Sequence, residues 1–243
     1  MSGHSHWSGI KHKKELTDTK RGKMFTKATR LITVSARQGG TDPDTNPSLR
    51  LAIEKAKEVN MPKTNIERAI QKGSGKDSSA NNMEEVSYEA FGPGGVAMII
   101  KGITDNKNRA VGDIRRTLAK HGGRIAENGS VAWMFDLKSR IEVTDRNNLR
   151  LSDDDLELAI IESGADDIRK EDGKILIYAE SNLTQKVQSS LEKNGIKTSL
   201  PEIELIPKQT VAISEKDQEK LDKTLEELDD CDDVTEVFTN FKF

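Results

Sequence analysis

The spacing of the apolar residues changes near residue 80 of this chain, and that change limits the folds open to it. Before this point, apolar residues recur every three or four positions, as in helices with one buried face. After it they alternate, as in half-buried strands, with helical stretches between the alternating runs. The segment 73–82 between the two patterns is small, polar and aperiodic, which is typical of a linker. We therefore predict an α+β fold that is divided into domains.

Three helices are predicted before the linker. The first ends at Gly39-Gly40, and the second begins at Pro47 with Asn46 as its N-cap. Met61-Pro62 separates the second helix from a third, because proline disfavours the helical conformation of its predecessor. The buried face of the first helix is expected to hold Met24, Phe25, Ala28, Leu31, Ile32, Ser35 and Ala36. This pattern predicts an N-terminal three-helix domain.

The rest of the chain predicts two α+β domains. A hairpin is expected around Gly92–Gly95, then a helix over 107–121 and a strand over 131–135. Residues 140–206 show the order βαββαβ, which matches the ferredoxin-like unit. A strand over 209–213, a helix over 215–229 and a strand over 234–241 complete the chain. These last elements cannot stand alone, so we assign them to the domain that precedes 140–206.

The predicted domains are therefore a basic helical domain, a discontinuous middle domain and an inserted ferredoxin-like domain. Their expected bounds are 1–80 for the first, 81–139 with 207–243 for the second, and 140–206 for the third. The fold class is α+β, with two ferredoxin-like domains after the three helices.

Charge is divided along the chain in the same way. The 243 residues carry 38 Lys and Arg against 41 Asp and Glu, a net of −3 that argues against a nucleic-acid partner. Residues 1–80, however, hold 16 basic and 8 acidic side chains, a net of +8, which leaves −11 for the remainder. Such asymmetry indicates a polyanion-binding end. A basic head and an acidic tail that attract each other are the alternative interpretation.

The basic residues of the first helix cluster on one face. At 100° per residue, five of them fall within about a third of the circumference, opposite the apolar stripe. A stripe of one sign repels itself unless something anionic meets it, although a solvated helix face is the simpler alternative. Phosphates of a nucleic-acid backbone are suitable anions, and Trp7 adds a ring for base stacking. The predicted nucleic-acid-binding residues are Trp7, Lys11, Lys13, Lys14, Lys20, Arg21, Lys23, Lys27, Arg30, Arg37, Lys63 and Arg68.

No pattern of catalytic or cofactor-binding residues is evident. Gly92–Gly95 lacks the Gly-Lys-Ser/Thr ending of a phosphate loop, and a strand follows it instead of a helix. The histidines near the N-terminus have no cysteine or acidic partner for zinc, and the aspartates at 229–233 have no glycine-turned calcium loop. We therefore expect a protein that is not an enzyme and has no cofactor or metal.

Composition also predicts where the protein resides. A single cysteine, Cys231, fits a reducing cytoplasm. The longest apolar run, Val96–Ile100, is too short to span a membrane, and the first residues form no secretory signal. We expect a cytoplasmic monomer without a membrane partner.

Several distinctive motifs occur in order along the chain. Those near the N-terminus include Gly3-His4-Ser5 with Trp7, Lys20-Arg21-Gly22-Lys23, Asn46-Pro47 and Asn60-Met61-Pro62-Lys63. Further motifs are Asn65–Ile70, Gly92–Ala97, Thr104-Asp105-Asn106, Lys120–Gly123, Gly129-Ser130-Val131 and Asp232-Asp233-Val234. Together these motifs resemble the YebC family, and the resemblance spans nearly the whole chain. It implies a three-domain, non-enzymatic, cytoplasmic protein that regulates transcription or activates translation at the ribosome, including at proline-rich stalls.

Two functional hypotheses follow from the residues and the resemblance. The first is a nucleic-acid-binding regulator whose target is DNA or ribosomal RNA, with the ribosome as a possible larger partner. The basic stripe carries no Asn/Gln pattern for reading base edges, so contacts to backbone and shape are favoured over sequence readout. The second is a protein-interaction adaptor whose ferredoxin-like domains carry the function, while the basic end pairs with the acidic tail.

Overall fold

A computed structural model describes residues 18–76, 82–146, 149, 151–171 and 173–242. The chain divides into two compact units. The first comprises the described residues up to Phe135 together with those from Pro207 onward, and the second is Asp136–Ile206. Within the described residues, seven α-helices and two four-stranded sheets are present, which confirms the predicted α+β class.

Three helices open the first unit, as the apolar spacing predicts. They are α1 (Asp18–Gly39), α2 (Pro47–Glu58) and α3 (Lys63–Gln71). The Asn46 side chain caps α2 by accepting the backbone N–H of Leu49, and it also donates to the carbonyl of Ser35 on α1. Asn60 adopts a positive φ of 59° after α2, the left-handed conformation that ends many helices. The core of the three helices contains Ala28, Ile32, Leu49, Ala52, Ala56, Ile66 and Ala69.

The first sheet belongs to the same unit. Its strands are β1 (Glu84–Phe91), β2 (Ala97–Thr104), β3 (Arg124–Ile125) and β8 (Val234–Thr239), in the spatial order β3-β1-β2-β8. β1 and β2 form an antiparallel hairpin in which Gly94 and Gly95 both have a positive φ. Helices α4 (Lys107–Lys120) and α7 (Glu215–Asp229) pack on one face through Ile114, Leu118, Leu221, Leu225 and Leu228.

The second unit has a sheet of the same design. Strands β4 (Phe135–Glu142), β5 (Asp167–Glu171), β6 (Lys174–Glu180) and β7 (Glu202–Pro207) lie in the order β5-β6-β4-β7. Helices α5 (Asp153–Glu162) and α6 (Thr184–Lys193) connect them in the ferredoxin-like order βαββαβ. Ile141, Ile160, Ile177, Val187 and Leu191 belong to its core.

The first sheet reaches the same arrangement by a different chain order. In the second sheet, β6 lies between β5 and β4; in the first sheet, β1 lies at the same position, between β3 and β2. In the chain, however, β1 comes before β2 and does not follow β3. The chain is therefore free to leave the first sheet after β3 and return as α7 and β8. This is how the second unit is inserted between Phe135 and Pro207.

Three predicted strands differ from the structure. Residues 131–135 do not form a strand: Ala132–Met134 is a 3₁₀ turn, and β4 begins only at Phe135. The strand predicted over 209–213 is reduced to one bridge between Val211 and Phe241, and the last strand of the βαββαβ order, predicted over 197–206, spans Glu202–Pro207. Alternation of apolar residues marks burial on one side, but pairing needs a neighbour with free backbone groups. In the described residues, no helix is long and apolar enough to cross a membrane.

Candidate nucleic-acid interface

The basic stripe on α1 faces acidic residues of the same unit. Lys23, Lys27 and Arg30 lie one helical turn apart, and their charged groups meet Asp229, Asp230 and Asp233. These six residues, here called the charged junction, join the three-helix domain to the segment that links α7 to β8.

Lys27 is the most enclosed member of the charged junction, with only 4% of its side chain exposed. Its ammonium donates to Asp229 Oδ1 at 2.8 Å and also to the Asp229 backbone carbonyl. Asp229 is the last residue of α7, where unpaired carbonyls give the helix end a partial negative charge that favours a cation. Lys23 reaches the neighbouring Asp230 at 2.9 Å, in a more exposed pair.

Asp233 is the centre of the second part of the junction. Its buried carboxylate accepts from Arg30 on α1 and from Arg109 on α4, whose Nη2 lies 3.0 Å from Oδ1. Arg30 also donates to the carbonyls of Ile103 at 2.9 Å and Asp232 at 2.8 Å. One carboxylate therefore links a helix of the N-terminal domain to the sheet and to a helix of the middle domain.

Two further cations of the helical domain also bond to residues at the first sheet. Arg37 donates to the Met83 carbonyl just before β1, and Lys55 lies 3.2 Å from Glu236 on β8. Gly102 on β2 permits the close approach of the Asp233 backbone, because a Cβ there would collide with the Asp233 carbonyl. The helical domain therefore bonds to the rest of its unit through these two cations as well as through the charged junction.

The sequence therefore predicts the basic stripe on α1 but not the carboxylates that lie against it. The carboxylates that meet it are about 200 positions away in the chain, so no helix-local pairing signal could reveal them. For Lys23, Lys27, Arg30 and Arg37, a role as phosphate contacts stays a prediction of the sequence. In this structure their charged groups are directed at acceptors of the same chain.

Other predicted binding residues remain at the surface. Lys20 and Arg21 are exposed near the start of α1, and Lys63 and Arg68 are exposed on α3. Lys63 makes only a loose i,i+4 pair with Glu67, at 3.8 Å and with its own side chain 89% exposed. Trp7, Lys11, Lys13 and Lys14 lie outside the described residues.

A second surface feature is the segment between β3 and β4. The Glu89 carboxylate, on the face of the first sheet away from α4 and α7, accepts three backbone N–H groups of this segment. The donors are Gly129 at 2.7 Å, Val131 at 2.5 Å and Ala132 at 2.9 Å. Burial opposes ionisation of Glu89, but these three bonds outweigh it and hold its pKa below the usual value.

Trp133 is presented by that segment, and we call residues 126–134 the tryptophan loop. The Trp133 side chain is 65% exposed, although Val131 two positions earlier is fully buried. Its indole N–H donates to the Ser130 carbonyl at 3.0 Å, within the same loop. The sequence does not reveal this feature, because the alternation over 131–135 favours a strand. The turn residues Gly129-Ser130 are the only local signal for a loop.

Neither the aspartate run nor Cys231 shows reactive chemistry. In the described part of the chain, no three His, Cys, Asp or Glu side chains are grouped to hold a metal ion. Burial and the nearby Asp113 carboxylate raise the pKa of the Cys231 thiol, which contacts the Glu227 carbonyl at 3.3 Å. A thiol with a raised pKa is a poor nucleophile at neutral pH.

These elements define a class of protein: a basic helical domain joined by ion pairs to one ferredoxin-like domain, with a second such domain inserted. Comparison with known proteins places that class in one family. Residues 5–76 match the TACO1/YebC protein N-terminal domain, and residues 83–241 match the TACO1/YebC second and third domain. The chain therefore belongs to the TACO1/YebC family.

Relatives cover the whole chain. A probable transcriptional regulatory protein of Desulforamulus reducens is 47% identical over 242 residues, which is 100% of this chain and 99% of the relative. One from Kosmotoga olearia, with the same description, is 48% identical and matches 100% of this chain and 94% of its own. The crystal structure of a conserved hypothetical protein from Aquifex aeolicus shares the fold, with a TM-score of 0.81 and 41% identity. That similarity covers 98% of this chain and 97% of the other.

Proposed function

We propose that this protein is a non-enzymatic, nucleic-acid-binding regulator of gene expression. The names of its relatives support a regulatory role. The observation that carries nucleic-acid binding is the net charge of +8 on residues 1–80, part of which stays exposed outside the charged junction. Exposed cations attract a phosphate backbone by displacing its counterions, without reading its sequence.

The proposed interface separates into two groups of cations. Lys20, Arg21, Lys63 and Arg68 are exposed and are assigned to phosphate contact, together with the predicted residues at 7–14. Lys27 and Arg30 are assigned to positioning, because their charges are already met by Asp229 and the Asp233 carboxylate. A phosphate would have to displace these carboxylates, of which that of Asp233 is buried, to reach this second group, and breaking a buried pair is costly.

The first test is a titration with a labelled nucleic acid at several salt concentrations. Lys63→Glu with Arg68→Glu should weaken binding and lower the slope of log affinity against log salt by about 0.9 for each phosphate that is no longer neutralised. The matched control is Lys186→Glu with Lys193→Glu on α6, which reverses two exposed charges of the second unit. Equal affinities and slopes for the two variants would contradict the proposal.

The nature of the nucleic acid is a separate question. DNA and ribosomal RNA are both candidates, because contacts to phosphates do not distinguish them. Crosslinking in cells, gradient sedimentation and sequencing of the attached nucleic acid would assign the target. Recovery with ribosomal particles would indicate a translation factor, including one that acts at proline-rich stalls, and recovery of promoter DNA would indicate a transcription regulator.

The charged junction favours a second candidate, a protein-interaction adaptor. In that case the cations of α1 serve only to fix the helical domain against the acidic segment, and the ferredoxin-like domains bind the partner. A full-length protein with no salt-dependent affinity for DNA or RNA would support the adaptor over the nucleic-acid regulator.

A further inference from the structure

Trp133 has the most exposed side chain among the large hydrophobic residues in the described ranges. A single exposed apolar residue needs no explanation by itself. Here, however, the residues around it hold the ring in a defined position at the surface. The Glu89 carboxylate fixes the backbone of residues 129–132, and Val131 fills the space beneath the loop.

The hydrogen bond made by the indole N–H limits the kinds of partner that Trp133 can bind. Buried or interfacial tryptophans usually give their N–H to the partner, but here it is already bonded to the Ser130 carbonyl at 3.0 Å. What remains available is the flat aromatic face. A flat ring with no spare donor suits a partner that also has a flat π-face, and every nucleobase has one.

Cations lie close to the loop. Arg124 on β3 leads directly into it, and its exposed guanidinium stacks over the Phe91 ring at 4.8 Å. Phe91 and Glu89 project from the same face of β1, so Arg124 and the carboxylate that holds the loop share one face of the sheet. The backbone of Lys208 donates to the Met134 carbonyl at 2.9 Å, which brings an exposed lysine beside the loop.

An acidic residue near these cations lowers the net positive charge of the tryptophan loop, so charge alone does not explain how the loop would bind a ligand. Glu127 is also exposed within the tryptophan loop. The loop is therefore not a strongly basic patch like those that bind duplex DNA by charge alone.

We propose that the tryptophan loop is a docking surface for an unpaired nucleobase, which stacks on Trp133 while Arg124 and Lys208 contact the adjacent phosphates. This inference rests on the proposed function, because it assigns a second contact to the same nucleic acid. It adds a preference: single-stranded or looped segments bind here, and a continuous duplex does not, because its bases are already stacked.

The experiment uses the full chain with Trp7→Phe, so that Trp133 is the remaining tryptophan. A single-stranded RNA oligonucleotide should quench its fluorescence on binding, and the same sequence annealed into a duplex should not. Trp133→Ala should lower affinity for the single strand about tenfold, within the range for loss of one stacked base. Trp133→Phe should retain much of the affinity, because it keeps an aromatic face.

Leu158→Ala is the matched control, since it removes a 54% exposed apolar side chain from α5 of the second unit. It should leave affinity unchanged. If oligonucleotides bind and Lys63→Glu with Arg68→Glu weakens them, while Trp133→Ala changes neither affinity nor single-strand preference, this inference is overturned and the proposed function stands. If the unmodified chain binds neither probe, both fail.

Discussion

The two sheets of this protein share one arrangement of strands and helices, reached by different chain orders, but differ in what covers the face away from their helices. In the first sheet that face carries Ile99 and Phe238, which are almost fully buried. Arg30 of α1 bonds near one end, at the Ile103 carbonyl, and the tryptophan loop bonds to Glu89 at the other. Other elements of the same unit therefore contact this face near both of its ends.

The second sheet places ion pairs on the corresponding face. Arg140 on β4 lies 3.1 Å from Glu202 and 3.0 Å from Glu204, both on β7. The Arg169 guanidinium covers the Tyr178 ring at 4.4 Å. Burial, reinforced by the Glu204 carboxylate, raises the pKa of the Tyr178 phenol well above its usual value. Long charged side chains of the sheet itself cover the apolar residues here, by packing their stems across them.

The comparison shows that the outer face of the same sheet arrangement can be covered in two ways. The first relies on charges from a distant part of the chain, and the second relies on charges of neighbouring strands. The two solutions should respond differently to mutation, and four predictions test that difference in order of decreasing effect.

The largest effect is expected at the carboxylate shared by two arginines. Asp233→Ala should lower the free energy of unfolding of the first unit by about 3 kcal/mol, since a buried pair broken on one side costs roughly 3–5 kcal/mol and Arg109 is partly exposed. Urea unfolding followed by tryptophan fluorescence measures this, because both tryptophans lie outside residues 136–206.

Asp230→Ala is the matched control for that measurement. Its pair with Lys23 is exposed, so its loss should cost no more than about 1 kcal/mol. Similar losses for the two variants would show that the charged junction does not hold the helical domain in place.

A somewhat smaller effect is expected in the second sheet. Arg140→Met should destabilise the second unit by about 2 kcal/mol, because it leaves the carboxylate of Glu204, only 7% exposed, without its cation. Replacing Arg140, Glu202 and Glu204 together by Met, Leu and Leu should restore much of that stability. Hydrogen exchange of residues 174–180 reports it, and a triple variant as unstable as the single one would refute the account.

The third prediction concerns acid stability of the tryptophan loop. The folded-state pKa of Glu89 lies below its ordinary value near 4.5, so its contribution is fully present above that pH. It is lost as pH falls from about 4.5 through the lower folded-state value. Glu89→Gln should therefore make the free energy of unfolding depend less on pH in this range. Near neutral pH, the difference in the free energy of unfolding between the variant and the parent protein should stay constant. Parallel curves for the two proteins below pH 4.5 would disprove it.

The smallest effect is expected at an exposed cation away from the charged junction. Arg115 on α4 is exposed and has no ion pair among the described residues. Arg115→Ala should change the unfolding free energy by less than about 0.5 kcal/mol, as is usual for surface sites. A larger loss in urea titration would show that the outer surface of α4 makes a contact of its own.

Most helices were predictable because their signals are local. Asn46 and Pro47 mark the start of α2, and the predicted range 215–229 matches α7 to the residue. The order βαββαβ also follows from elements that are adjacent in the chain. Strand ends were less predictable, because a strand exists only where a partner pairs with it. Residues 131–134 alternate like a strand, but Glu89 accepts the backbone N–H groups of Val131 and Ala132.

The candidate site divides in the same way. The sequence by itself determined the fold class, the helices, the family and the presence of a basic stripe on α1, because each depends on residue types at short spacing. Only the tertiary structure decided that the stripe meets Asp229 and Asp233, and that Trp133 stands exposed above Glu89. Electrostatic partners and surface exposure depend on residues distant in sequence, and folding alone brings those residues within a few ångströms of one another.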